Sequence, residues 1–210
     1  MIKAIIFDYD GVIVDSFVSV FEVYKGICKH FNVACPATID KFRKVYGYNY
    51  TECLKNLGIQ EEDFEEANTI YIREIVKMEH GVFEDIVDVI RELAKKYKIY
   101  LVSASHSDEI LSKLERFGLI NLFEKIYCGS DKRIHKSDMV TDLVRKYNYS
   151  LNEVVFVGDR AIDYEASRKA GIDDNNIVLV GYGWGLDKNK IGKAKVANNP
   201  KDILYFIGKI

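Results

Sequence analysis

Asp8 and Asp10 stand two residues apart where an apolar run (Ile2, Ala4, Ile5, Ile6, Phe7) gives way to Gly11. An unpaired buried carboxylate is very costly, so acids at the end of a buried strand need a cation, a proton or a reaction. Two carboxylic acids within reach of one substrate can divide nucleophilic and acid–base work between them. Two more lie far downstream, in Gly158-Asp159-Arg160-Ala161-Ile162-Asp163, again directly after an apolar run. A hydroxyl, Ser103, follows Tyr100-Leu101-Val102, and a lysine, Lys136, sits in His135-Lys136-Ser137-Asp138. Acids, a hydroxyl and an ammonium at the ends of separate strands make a set that could act on an anion.

The elements that would gather these residues are legible. Short apolar runs bounded by Gly, Ser or Asp read as strands buried on both faces. They occur around Ile5, at Ile99–Val102, Lys125–Cys128, Val154–Val157 and Ile177–Val180. Amphipathic helices lie between them. Ile86, Ile90, Leu93 and Tyr97 recur at helical spacing, as do Ile110, Leu114 and Phe117, the latter with Ser107 as N-cap and Gly118 as stop. Strand and helix in alternation predict an α/β fold, a Rossmann-like doubly wound parallel sheet with right-handed crossovers. Ligands of such sheets bind beyond the carboxyl ends of the strands.

One interval breaks the alternation. From Phe17 to about His80 only helical patterning appears, clearest from Glu61 to Met78 with Phe64, Ala67, Tyr71, Ile75 and Met78 on one face. We expect an inserted α-helical cap domain over residues 17–81, with the catalytic core formed by 1–16 and 82–210. Asp15 and Ser16 are expected to cap its first helix. The cap is expected above the ligand edge of the sheet.

Composition narrows the partners. The chain has 210 residues, 48% hydrophobic and 30% charged, with a formal net charge of −2. That balance gives no reason to expect nucleic acid or an anionic membrane. No stretch approaches the roughly 20 apolar residues of a membrane span, and the chain enters its first strand at once, leaving no room for a signal peptide. Cys28, Cys35, Cys53 and Cys128 form neither a zinc pattern nor a secreted disulfide framework, which suggests buried, reduced thiols in a cytoplasmic protein. Gly181-Tyr182-Gly183-Trp184-Gly185 lacks the crossover unit of a dinucleotide site and reads as a glycine-rich turn.

Asp8-Tyr9-Asp10-Gly11-Val12 followed by Asp15-Ser16, then Ser103, the lysine and Gly158–Asp163, resembles the four ordered motifs of the haloacid dehalogenase superfamily. The resemblance is to its phosphoglycolate phosphatase-like and β-phosphoglucomutase-like members and spans essentially the whole chain. It implies a phosphatase that passes through an aspartyl-phosphate. Asp8 would be the nucleophile and Asp10 the general acid–base. Mg²⁺ would be held by Asp8, the Asp10 carbonyl, Asp159 and Asp163, the last directly or through an intermediary. Ser103 and Lys136 would complete catalysis, with Gly11, Ser103 and Ala104 around the phosphoryl oxygens. Many relatives follow the lysine with Pro where this chain has Ser137, so Lys132 competes with Lys136 for that role.

Dehalogenases lack the second aspartate, and Asp10 is present. Phosphomutases of this family place a histidine in the first cap helix and a basic residue in the cap loop; the corresponding positions here are Val20 and Tyr50. Hydrolysis of a small phosphomonoester, phosphoglycolate-like or sugar-phosphate-like, is therefore expected. A mutase, or a silent binding protein on the same fold, is the alternative. The loop from Arg43 to Tyr50 resembles the substrate-selecting loop, with Arg43, Gly47 and Tyr48 as candidate contacts. Tyr46, Tyr48 and Tyr50 would either meet substrate or pack the cap. The partner would be a small phosphorylated metabolite, bound by a monomer or dimer.

Overall fold

The computed structural model describes residues 1–47, 50–129 and 135–210. They form two compact units, one of Met1–Asp15 with Gly81–Ile210 and one of Ser16–His80.

The first unit is built on six parallel strands: β1 (Ala4–Phe7), β2 (Lys98–Ser103), β3 (Phe123–Cys128), β4 (Val154–Gly158), β5 (Ile177–Val180) and β6 (Lys195–Ala197). Their spatial order is β3-β2-β1-β4-β5-β6. β1 is central, in register with Lys98–Leu101 on one side and Val154–Val157 on the other. This is the expected doubly wound α/β sheet, and its order reverses beside β1. Sheets with such a switch bind ligands beyond the carboxyl ends of the strands that flank it, which here are β1 and β4.

Alternation along β1 decides which side chains face which layer. Ile5 and Phe7 join Ile90, Leu114 and Ile203, from helices α5 (Ile86–Ala94), α6 (Ser107–Arg116) and α9 (Pro200–Ile207). Ala4 and Ile6 join Met139, Leu143 and Tyr164, from α7 (Lys136–Lys146) and α8 (Ala161–Lys169). Each fully buried Ile or Phe contributes roughly 1.5–3 kcal/mol of apolar burial, so the strand carrying the first acids is among the best anchored.

Two expectations for this unit need correction, and one strand was not foreseen. β3 was expected to be covered on both faces, yet it is an edge strand with Glu124 and Lys125 exposed. β6 was not anticipated. The N-cap of α6 is His106 in extended conformation, and Ser107 is already the first helical residue.

The helical unit holds α1 (Phe17–His30), α2 (Ile39–Val45), α3 (Tyr50–Asn56) and α4 (Phe64–Ile75), with no strand among its described residues. Its centre is aromatic. Phe42 is fully buried, stacked on Phe21 at 4.9 Å and 5.2 Å from Tyr24. Tyr46 packs edge-on against Phe17 and Tyr24, and Tyr50 against Tyr71. Tyr46 and Tyr50 are thus packing residues of this unit. Ser16 occupies the N-cap of α1, but its side chain makes no capping hydrogen bond. Its backbone is already helical (φ −93°, ψ −6°), whereas a capping hydroxyl needs extended geometry to reach back to the helix. The four cysteines are all thiols; Cys28 and Cys53 are buried, while Cys35 and Cys128 are only half-buried. Among the described residues no helix is long and apolar enough to cross a membrane.

Candidate active site

β1 ends at Phe7, and the next residues leave the sheet in one tight turn. The amides of Val12, Ile13 and Val14 all point to the Tyr9 carbonyl, Ile13 at 2.9 Å, while the Gly11 amide donates to Val14 at 3.0 Å. Gly11 has φ +74°, a conformation a side chain rarely tolerates. A Cβ there would stand 2.0 Å from Asp159 Oδ2. The turn thereby brings the backbone after Asp10 against the acid at the end of β4.

Asp8, Asp159 and Asp163 each offer a carboxylate oxygen within 4.8 Å of the others, and all three are buried. Lys136, the first residue of α7, places Nζ 2.8 Å from Asp8 Oδ2 and 2.5 Å from Asp163 Oδ1. Lys132 and Tyr48 lie outside the described residues.

The three acids differ in what satisfies them. Asp8 Oδ1 accepts the Tyr9 amide at 2.8 Å. Asp163 is fully engaged, since Oδ2 accepts the amides of Asp159 (3.1 Å) and Arg160 (3.0 Å) while Oδ1 meets the lysine. Asp159 Oδ2 accepts the Trp184 amide at 2.7 Å, but Oδ1 is buried with no hydrogen-bond partner. A buried anionic oxygen without a donor is expensive, and oxygen ligands in this number suit a hard divalent cation. The donor set fits Mg²⁺, with Asp8 and Asp159 better placed to turn an oxygen to it than the saturated Asp163.

Electrostatics follow from the same geometry. Burial pushes the Asp8 carboxyl up to about 7, with Lys136 pulling the other way and Asp163 adding repulsion. Asp159 is raised well above the carboxylate range by burial and by its two acidic neighbours. Asp163 is held below that range: burial opposes, but Lys136 and the backbone amides win. Lys136 is desolvated, which favours its neutral form, yet Asp163 and Asp8 outweigh this and keep it cationic. One ammonium therefore faces three carboxylates, and the cluster favours a second positive charge.

On the neighbouring strand end, Ser103 is buried and its Oγ accepts the Ser105 amide at 3.0 Å. Ala104 between them is exposed. Ser105 Oγ donates to Asp10 Oδ2 at 2.5 Å. Sequence reasoning named Ser103 and Ala104 but missed Ser105, although a second hydroxyl two residues on, where the strand gives way to a turn, was a usable signal. The resemblance implies that Asp10 is an acid–base group, and losing one charge-assisted bond to such a group costs about tenfold. We expect Ser105→Ala to lower kcat by that factor with little change in KM, checked by steady-state kinetics.

The glycine-rich turn after β5 also reaches this site. Tyr182 donates to the Val12 carbonyl at 3.2 Å, and Trp184 holds Asp159. A Cβ on Gly183 would lie 2.4 Å from the Gly11 carbonyl oxygen and 2.6 Å from Asp159 Oδ2. Gly183→Ala must displace backbone on one side and Asp159 on the other. On the Mg²⁺-dependent phosphatase reading that the sequence resemblance implies, its expected effect is a loss of activity of at least about tenfold, with more Mg²⁺ needed for half-maximal rate. A metal titration of the variant checks this.

Arg43 and Gly47 belong to the helical unit. The Arg43 guanidinium lies over the Phe17 ring at 4.3 Å. Gly47 has φ +67°, and a Cβ there would come within 2.8 Å of the Glu52 carboxyl.

Comparison with known proteins gives a consistent result. The family model for haloacid dehalogenase-like hydrolases matches residues 5–176. A phosphorylated carbohydrates phosphatase of Thermotoga maritima is 28% identical, over 81% of this chain and 82% of its own length. A phosphoglycolate phosphatase of Synechococcus elongatus is 23% identical, over 99% and 98% respectively. A haloacid dehalogenase-like hydrolase of Streptococcus pneumoniae, 21% identical, superposes with a TM-score of 0.86 over 98% of each chain, a likeness of fold.

Proposed function

Because this chain belongs to the haloacid dehalogenase-like hydrolase family, we propose that it is a phosphatase of small phosphorylated molecules, Mg²⁺-dependent and working through an aspartyl-phosphate on Asp8. The observation that carries this reading is the placement of Asp8, buried between the Lys136 ammonium at 2.8 Å and the partnerless oxygen of Asp159. A carboxylate so placed is a nucleophile whose repulsion from an incoming phosphoryl group is already partly neutralised.

Asp8, Asp159 and the Asp10 carbonyl would hold the cation, with Asp163 fixing Lys136 and the backbone behind it. When bound, Mg²⁺ supplies charge neutralisation at the phosphoryl oxygens and orients them for in-line attack. An Asp8 oxygen attacks phosphorus. Asp10, steadied by Ser105, gives its proton to the leaving alkoxide and then takes one from the water that attacks the acyl phosphate. Lys136, Ser103 and the amides near Gly11 and Ala104 receive the negative charge that spreads over the equatorial oxygens. The names of the two relatives suggest a phosphorylated sugar or phosphoglycolate as substrate class. Arg43, Gly47 and Tyr48 are the residues proposed to select among leaving groups.

A panel of small phosphomonoesters assayed for inorganic phosphate tests the reading. Release with Mg²⁺ and silence after chelation are expected, with activity restored by added Mg²⁺. Turnover that persists in a chelator, or isomerisation of a sugar phosphate without phosphate release, would overturn it.

A further inference from the structure

The turn after β5 starts two strands away from β1, since β4 lies between them. To reach the turn after β1 it must cross the end of β4, a distance of about 10 Å at ordinary strand spacing. Its root is fixed, because the Gly181 amide donates to the Ala197 carbonyl of β6 at 2.7 Å. Its first side chain is fixed as well. The Tyr182 ring packs edge-on against Phe83 with centroids 4.8 Å apart, and its hydroxyl donates to the Val12 carbonyl. The Phe83 amide is bonded to the Ile13 carbonyl, so ring and hydroxyl are anchored on one stretch of chain.

Beyond Tyr182 the turn fills the gap between the two acid-bearing strand ends. No methyl group fits at Gly183, because the Gly11 carbonyl stands on one side and Asp159 on the other. None fits at Gly11 either, where a Cβ would meet Asp159 Oδ2 and come within 3.0 Å of Trp184 Cδ1. The Trp184 amide fixes Asp159 Oδ2 at 2.7 Å, which leaves Oδ1 as the oxygen able to turn to a cation. Three stretches of backbone thus close on Asp159, and its distance from the turn after β1 cannot widen unless one of them moves.

Cations of different size ask for different spacing. Mg²⁺ holds its oxygens at about 2.0–2.1 Å in near-octahedral geometry, whereas Ca²⁺ takes more oxygens at about 2.3–2.6 Å in a flexible shell. A site that cannot widen favours the smaller ion. We propose that residues 182–184 are a clamp that holds the acid site to the smaller divalent cation, with Tyr182 as the positioning residue that locks it. This role rests on the Mg²⁺-dependent reading above and adds to it what decides which cation is accepted. Tyr182 acts through the Val12 carbonyl and through the backbone that presents the Trp184 amide to Asp159.

Trp184 is the only tryptophan of the chain, so its emission reads cation binding beside Asp159 with no substrate present. The test titrates Mg²⁺ and Ca²⁺ separately into metal-free wild type, Tyr182→Phe and Gly183→Ala. Thermal midpoints at each concentration give the affinities independently. Tyr182→Phe keeps the ring against Phe83 and removes only the bond to Val12. Its Ca²⁺ affinity relative to Mg²⁺ should rise roughly threefold to tenfold, the range that one net hydrogen bond supplies. Gly183→Ala should move the ratio the same way. Circular dichroism reports folding, and Tyr182→Phe decides alone if Gly183→Ala misfolds. A role in folding only would weaken both cations equally, so an unchanged ratio would overturn the clamp while the Mg²⁺ reading stands. Wild type whose emission and midpoint respond to neither cation would overturn both.

Discussion

Phosphate release by an Asp8→Asn variant is expected to fall by a factor on the order of 10⁴ or more, because the amide cannot form the acyl phosphate. The same substitution should not unfold the protein. Asp8 is 5% exposed and shares its surroundings with Asp159 and Asp163, so its ionised form is disfavoured there. Its folded-state pKa is raised, so any stability it contributes is present at low pH and is lost as pH rises towards about 7. Above that pH a neutral asparagine removes a repelled charge, and the thermal midpoint should hold or rise. Activity lost with stability kept identifies a chemical role, in line with the stability that functional sites give up. A burst of labelled phosphoenzyme in wild type, absent from Asp8→Asn, is the decisive measurement. In Asp10→Asn both formation and breakdown of that species should slow. An Asp8→Asn protein that still turns over with metal would remove Asp8 from the reaction.

Lys136→Met is the second large effect, and it should combine two losses. Lys136 is 11% exposed and bridges Asp8 and Asp163, themselves almost fully buried. Removing one partner of a buried ion pair leaves an uncompensated charge and costs about 3–5 kcal/mol. Here two carboxylates lose their cation while Asp159 stands beside them. We expect a clear fall in the thermal midpoint above neutral pH, together with activity reduced by at least about a hundredfold. Because the defect is excess negative charge, Mg²⁺ should raise the midpoint of Lys136→Met more than that of wild type. Equal Mg²⁺ shifts in the two proteins would mean that Lys136 and the cation do not share one electrostatic site. Thermal scans with and without metal separate the outcomes.

How much of this was legible depends on whether the signal is local in sequence. Asp8 and Asp10 could be picked out because a buried apolar run and a glycine flank them, and Asp159 and Asp163 for the same reason. The parallel sheet was legible wherever strands are apolar on successive residues, as in Val154–Val157. β6 was invisible because a three-residue strand containing Lys195 has no such run. β3 was misjudged because Ile126, Tyr127 and Cys128 look like core, whereas strand order, which sequence does not state, leaves β3 at the edge. The link from Trp184 to Asp159 spans 25 residues and depends on a backbone amide, so no side-chain pattern announces it. Ser105 sits in plain view, yet its partner Asp10 is 95 residues away. The tyrosines around Gly47 posed the opposite problem. Their types suit both ligand contact and packing, and the aromatic cluster around Phe42 absorbs Tyr46 and Tyr50.

The neck between the two units has a consequence for how such a chain can diversify. The Asp15 amide donates to the Gly81 carbonyl at 3.0 Å, the Phe83 amide to Ile13 at 3.0 Å, and Val14 and Val82 pair antiparallel. Both ends of the intervening segment are thus stitched together by the sheet-bearing unit itself. Loop-closure entropy grows only logarithmically with length, so the sheet is nearly indifferent to how many residues are exchanged, added or deleted beyond that stitch. Selection can rewrite the helical segment wholesale while the acids downstream of β1 and β4 keep their alignment.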